Sequence, residues 1–320
     1  MCRLGMRAIL RQNRTAFGRR VDNCWGPGVR LASSAVTTPL LVSCEWLVSH
    51  ASDPLVRVAD VRWSLIEKDK GRTAYREAHV PGAVFLDVDT DLAAPRGQGP
   101  GRHPLPAPGT FAAAMGRAGI GAGTHVVAYD FGDASTAARL WWLLRYFGHE
   151  RASVLDGGMA RWVAEGRPVE SRVPSYAQAR FEAVPRPEFV ADAGTVERLR
   201  ATPRGLVIDV RMAERYEGKR EPIDPVAGHI PGARNRPYPA NVRSAADPRF
   251  LPTEELRIAF EQLGAGSAEG VACYCGSGVN ACQTVFALEL AGFRNALLYE
   301  GSWSDWCSVP ARAVATGPRP

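Results

Sequence analysis

Short apolar runs alternate with amphipathic stretches along most of the chain. Val56-Arg-Val-Ala-Asp60, Leu206-Val-Ile-Asp209, His125-Val-Val-Ala-Tyr129 and Val271-Ala-Cys-Tyr274 are brief, β-branched or apolar runs that predict buried strands. Between them, helices are expected over Cys44–His50 behind the cap Ser43, Thr110–Arg117, Ala134–Tyr146, Thr195–Ala201 behind the cap Asp192, Thr253–Leu263 and Ala281–Ala291. The most apolar helical stretch, Leu140-Trp-Trp-Leu-Leu144, stops at Arg145 and reads as a core helix, far short of the ~18 residues that span a bilayer. Strands alternating with helices imply an α/β fold with parallel sheets covered on both faces.

The pattern runs through the chain twice. Asp60-Val-Arg62 is matched 149 residues later by Asp209-Val-Arg211, and His79-Val-Pro-Gly-Ala83 150 residues later by His229-Ile-Pro-Gly-Ala233. The strand ending at Asp130 is matched 145 residues later by the strand ending at Cys275. Asp156-Gly-Gly-Met-Ala-Arg-Trp162 is matched by Glu300-Gly-Ser-Trp-Ser-Asp-Trp306, with the closing tryptophans 144 apart. Four matches in one order mean two homologous domains, placed at 38–169 and 191–312. The Pro-containing stretch 170–190 between them reads as a linker.

Charge separates the first 35 residues from the rest. Seven of the 39 basic residues and one of the 33 acids lie there, leaving 32 of each in the body. The body therefore has no basic excess that would point to nucleic acid. The Arg-rich, acid-poor segment 1–35 is expected to be a disordered tail or upstream sequence ahead of a later start. A mitochondrial transit peptide is the alternative, so the chain is expected in the cytoplasm, or in mitochondria under that alternative. Seven cysteines without regular spacing do not suggest a disulfide framework. Cys273, Cys275 and Cys282 lack the Cys-x2-Cys knuckle and a nearby His, so no metal site is expected.

The chemistry concentrates at Cys275-Gly-Ser-Gly-Val-Asn280. A thiol at the C-terminal end of a strand, followed by a Gly-rich loop and a helix N-terminus, stands where open α/β sheets bind ligands. Gly276 and Gly278 permit positive φ, so the amides of Gly276, Ser277, Gly278, Val279 and Asn280 can turn inward around an anion. Together with the helix dipole they favour thiolate, the reactive form. The first domain has Asp130 at the matching position. That acid offers no sulfur nucleophile and suits a helix cap, so one active site per chain is expected.

On these motifs the chain resembles a two-domain rhodanese-type sulfurtransferase over residues 38–312. Its Cys-Gly-Ser-Gly-Val loop is similar to that of 3-mercaptopyruvate sulfurtransferases, whereas thiosulfate-specific members place cations directly after the cysteine. The resemblance implies two tandem rhodanese-like domains, the second active, and a persulfide on Cys275 that is passed to a thiol or cyanide without metal or organic cofactor. It implies a small-molecule sulfur donor and an acceptor such as glutathione or a small dithiol protein. Arg215 matches the family's substrate-binding arginine, Ser277 a serine beside the nucleophile, and His79 a suggested proton relay. Asn280 stands where the family usually has Thr. The second family arginine, ahead of the His-x-Pro-Gly turn, has only Lys219-Arg220 nearby, out of step with it. Three rival readings stand beside this one. A thiosulfate sulfurtransferase is the rival within the enzyme reading, and a non-enzymatic carrier whose loop only relays persulfide to a partner is the rival outside it. A phosphatase with Cys-x5-Arg needs an Arg that is absent, since the next one after Cys275 is Arg294.

Overall fold

The computed structural model describes residues 38–294 and 296–320; the expectation for residues 1–35 lies outside them. Two five-stranded sheets are built, every pairing parallel. The first contains β1 (Leu41–Val42), β2 (Val56–Asp60), β3 (Val84–Phe85), β4 (His125–Tyr129) and β5 (Ala152–Leu155) in the order β1-β5-β4-β2-β3. The second contains β6 (Val190–Ala191), β7 (Gly205–Asp209), β8 (Arg234–Asn235), β9 (Gly270–Tyr274) and β10 (Leu297–Tyr299) in the order β6-β10-β9-β7-β8. Term by term the two orders are the same, so the sequence repeat is a repeat of topology.

The recurring Asp-Val-Arg motif braces each sheet. Arg62 grips Asp60 through Nε and Nη2 and donates to the Ala78 carbonyl at 2.7 Å. Arg211 does the same with Asp209 and the Gly228 carbonyl. Each buried guanidinium thus ties a strand end to the residue just before its His-Pro-Gly turn. Such pairs are costly to break from one side.

The halves meet along two largely apolar helices, each buried over its first eight residues. These are α1 (Ala137–Tyr146) and α2 (Ala281–Leu290). Leu140 to Leu144 are fully buried, and Trp141 packs edge-on against Phe286 with ring centroids 4.8 Å apart. One hydrophobic cluster runs unbroken from Ala59 in the first half to Leu298 in the second. The helix expected from Ala134 begins at Ala137 instead. Ala134 has φ +60° and belongs to a loop that closes on Asp130. That loop is one residue longer than its counterpart: seven positions separate Asp130 from its helix and six separate Cys275 from its own.

Candidate active site

Cys275 follows β9, the middle strand of the second sheet, at the end where α2 starts. It is 4% exposed and lies at the floor of a cavity of about 290 Å³. The Gly278 N–H donates to its Sγ at 3.1 Å, the one backbone bond to that sulfur among the described residues. The expected ring of amides is therefore represented at Sγ by a single donor, because the loop turns at Gly278 (φ +80°). A Cβ there would lie 2.4 Å from the Glu300 carbonyl, so only glycine fits.

The loop is fixed from behind by the turn Gly301-Ser-Trp-Ser304. Ser302 Oγ accepts the Cys275 N–H at 3.1 Å, while Trp303 and Ser304 donate to the carbonyls of Cys275 and Gly276, each at 3.0 Å. Trp303 and Trp306 are fully buried core residues. Cys282 is buried, with its thiol donating to the Gly278 carbonyl at 3.3 Å. Burial pushes the Cys282 thiol up to about 12, so it is held protonated there.

Arg215, Gly276, Ser277 and Asn280 all line the Cys275 cavity. Arg215 is held by Glu221, through Nε at 3.1 Å and Nη2 at 2.7 Å, and Nη2 also reaches Asp224 at 3.1 Å. Val279 is buried and belongs to the core. His79 does not reach the cavity. It is buried in its turn, stacked on Tyr75, with its ring nitrogens on the carbonyls of Tyr75 (2.6 Å) and Arg172 (3.2 Å). Its twin His229 stacks on Tyr216 in the same way, as expected of a residue that orders a turn. Arg220 is exposed and outside the lining.

The histidine that does reach the loop is His103, in an irregular stretch of the first half. Its Nδ1 lies 2.8 Å from Ser277 Oγ, and its Nε2 lies 3.2 Å from Asp89 Oδ1. The hydrogen bond from His103, reinforced by one from Trp63, holds the Asp89 carboxyl below its usual range. An ionised Asp89 can only accept, so neutral His103 carries its proton on Nε2 and Nδ1 is left to accept from the Ser277 hydroxyl. Arg102, the preceding residue, also lines the cavity and pairs with Asp224. Beneath the loop the fully buried Arg139 donates to the carbonyls of Gly278, His103 and Leu92. None of these four residues was singled out by the sequence, because all come from the half without the cysteine.

The corresponding loop of the first half is filled by its own side chain. Asp130 accepts the backbone N–H groups of Gly132, Ala134, Thr136 and Ala137 at 2.9–3.1 Å. Burial, and then the Asp133 carboxylate, push its carboxyl up to about 6 against those donors.

Comparison with known proteins agrees with this architecture. Residues 43–165 and 192–309 each match the rhodanese-like domain. A Pseudomonas aeruginosa protein described as a probable 3-mercaptopyruvate sulfurtransferase is 41% identical over 280 residues, covering 87% of this chain and 98% of the relative. A Mycobacterium tuberculosis protein provisionally named thiosulfate sulfurtransferase SseB is 38% identical over 269 residues, covering 84% and 93%. The crystal structure of SseA from Escherichia coli, a 3-mercaptopyruvate sulfotransferase, superposes with a TM-score of 0.73 at 33% identity, covering 83% of this chain and all of SseA. The chain belongs to the rhodanese family and carries two tandem rhodanese-like domains.

Proposed function

We propose that this protein is a sulfurtransferase that takes sulfur from 3-mercaptopyruvate onto Cys275 and passes it to a thiol or to cyanide. The observation that carries the reading is the setting of Cys275. Its sulfur accepts the Gly278 N–H at the floor of a cavity walled by Arg215, and Gly276 and Ser277 follow it where a thiosulfate-specific loop would have cations.

The Cys275 thiolate attacks the donor's sulfur and the sulfur–carbon bond breaks. The bonding pair leaves on carbon as the enolate of pyruvate, and the donor's thiol proton ends on that carbon. Cys275 is left as a persulfide anion beside the Gly278 amide, a donor suited to negative sulfur. Ser277, backed by His103 and Asp89, carries the proton between donor and enolate. An acceptor thiolate or cyanide then attacks the outer sulfur, and the Cys275 thiolate departs. Arg215 binds the donor's carboxylate, with the loop residues Gly276 to Asn280 shaping the site around the sulfur. No step needs a metal or an organic cofactor.

The two guanidinium groups of Arg102 and Arg215 beside the loop favour thiosulfate as a second reading. Glu221 and Asp224 offset that charge, which leaves the monoanionic donor preferred. All five described cysteines are free thiols, which supports a reducing compartment. The test is release of pyruvate from mercaptopyruvate against release of sulfite from thiosulfate, for the wild type and Cys275→Ser. Faster turnover of mercaptopyruvate that vanishes in the variant is expected. A variant with wild-type turnover, or equal use of both donors, overturns the assignment of nucleophile or donor respectively.

A further inference from the structure

A second cavity, of about 650 Å³, adjoins the first and falls within the size range of small-molecule sites. Trp63, Ser135 and Thr136 line both, so the two share a wall. One side of the second cavity is the silent loop of the first repeat, from Asp130 to Thr136. The other side is the second-repeat stretch from Pro239 to Pro248. The transfer of sulfur from the donor to Cys275 makes no use of this space.

Both sides are fixed before a ligand arrives. Gln283 of α2 donates through Nε2 to the carbonyls of Asp133 at 3.2 Å and Tyr238 at 3.1 Å. Asp133 lines the second cavity and Tyr238 the first, so this side chain ties the walls together beside the junction. At the far end Pro248 packs on the silent loop, where a Cβ on Gly132 would lie 2.8 Å from its Cγ. Two residues on, the Phe250 N–H donates to Asp156 Oδ1 at 2.9 Å. The charges that line the cavity are of both signs and are largely unspent. Arg243 bonds to Arg249 through its backbone N–H, and its guanidinium pairs with no described residue. Asp133 accepts the Ser135 N–H on Oδ1 at 3.0 Å, which leaves Oδ2 open. A cation and an anion on opposite walls suit a head group that has one of each, the carboxylate and ammonium of an amino acid.

We propose that the second cavity is the acceptor subsite and takes a small peptide thiol with an amino-acid head. The head sits between Arg243 and Asp133, and the thiol reaches past Trp63 and Thr136 to the outer sulfur on Cys275. The acceptor thiol gives its proton to water, and its sulfur bonds to that outer sulfur. The sulfur–sulfur bond breaks with its pair on Cys275 Sγ, and the acceptor leaves as a persulfide anion. This rests on the reading of Cys275 as the persulfide carrier. It goes beyond that reading in giving the acceptor a site of its own and a chemical class. Charges set inside a cavity favour a small acceptor over a folded protein, whose surface is too broad to enter. The silent loop then has a use: with Asp130 spent on its own amides, it serves as a wall of the acceptor site.

The test compares glutathione with cyanide as acceptors, each with 3-mercaptopyruvate as donor. Cyanide has no head group to place. The ratio of kcat/KM for glutathione to that for cyanide therefore reads the subsite, and a general loss of folded protein does not move it. Arg243→Gln is expected to lower that ratio by about 10-fold, the effect of one charge-assisted hydrogen bond lost at an exposed position. Ala240→Trp, which fills the cavity from an exposed position, is expected to lower it by at least as much. A ratio unchanged in both variants overturns the subsite. So does an equal loss with reduced thioredoxin, a folded dithiol protein, because the cavity would then be part of a protein-docking face. A wild type that forms no persulfide from mercaptopyruvate overturns the reading beneath it, before any acceptor is compared.

Discussion

His103 Nδ1 and Ser277 Oγ lie 2.8 Å apart although 174 residues separate them in the chain. The contact crosses the boundary between the repeats, so the hydroxyl beside the nucleophile is oriented by the half that has no nucleophile. If Ser277 and His103 move one proton as a unit, removing either removes the relay. Ser277→Ala and His103→Asn are each expected to lower kcat by about 10–100-fold, and the double variant by little more than either alone. Steady-state rates at saturating donor check this, with thermal unfolding as the control for fold. Effects that multiply would show two independent roles.

What the sequence made legible follows the physics that sequence patterns carry. Cys275 stood out because an apolar strand breaks there into glycines and a helix, and local order of that kind is written in adjacent residues. The two sheets were legible through the repeated Asp-Val-Arg and His-x-Pro-Gly motifs, each a local device. His103, Arg102 and Asp89 were not legible. They lie in irregular polar stretches of the first repeat, and only the packing of the two interface helices brings them to Cys275. Arg139 was hidden differently, as one charge at the edge of the apolar run Leu140 to Leu144. His79 drew notice as a conspicuous histidine in a motif, yet its position serves a turn and its nitrogens are taken by backbone carbonyls.

Arg139 couples stability to the site. It is fully buried and donates to Gly278 of the catalytic loop, to His103 of the relay and to Leu92. Arg139→Gln leaves carbonyls unmet and is expected to cost about 2–4 kcal/mol of stability. It should also lower kcat/KM of the folded fraction, because both ends of the Ser277–His103 contact lose a support. Denaturant unfolding and rates on the same samples decide: a stability loss with wild-type kcat/KM would mean that the loop holds its own shape.

Asp130 fills the silent loop as a structural plug. Four backbone N–H groups point at its two oxygens, Gly132 and Ala134 at Oδ1, Thr136 and Ala137 at Oδ2. Ala in its place removes both acceptors and strands the four N–H groups in a buried loop. Asp130→Ala is therefore expected to lower stability by about 2–4 kcal/mol while the folded variant keeps wild-type turnover. A fall in turnover per folded molecule would instead give this loop a part in the reaction.

Acid should weaken the first domain through His125. Burial, and then the nearby Arg151 charge, depress its pKa to about 4, and its Nε2 lies 2.7 Å from Ser153 Oγ. Above about pH 6.5 the imidazole is neutral in the folded and the unfolded chain, so it adds no pH dependence. Below that the unfolded chain takes up a proton that the folded one refuses. Stability is therefore lost as pH falls from about 6.5 through 4, by an amount of order 2 kcal/mol. His149, also depressed by burial, works in the same direction. Asp130, raised to about 6, works in the opposite one, since its protonation favours the folded state. The difference between wild type and His125→Gln isolates the imidazole, because the other groups cancel. Unfolding free energies at pH 7 and pH 4.5 should show the wild type losing more than the variant by about that amount. An equal loss would mean that His125 takes up its proton in the folded protein as readily as in the unfolded chain.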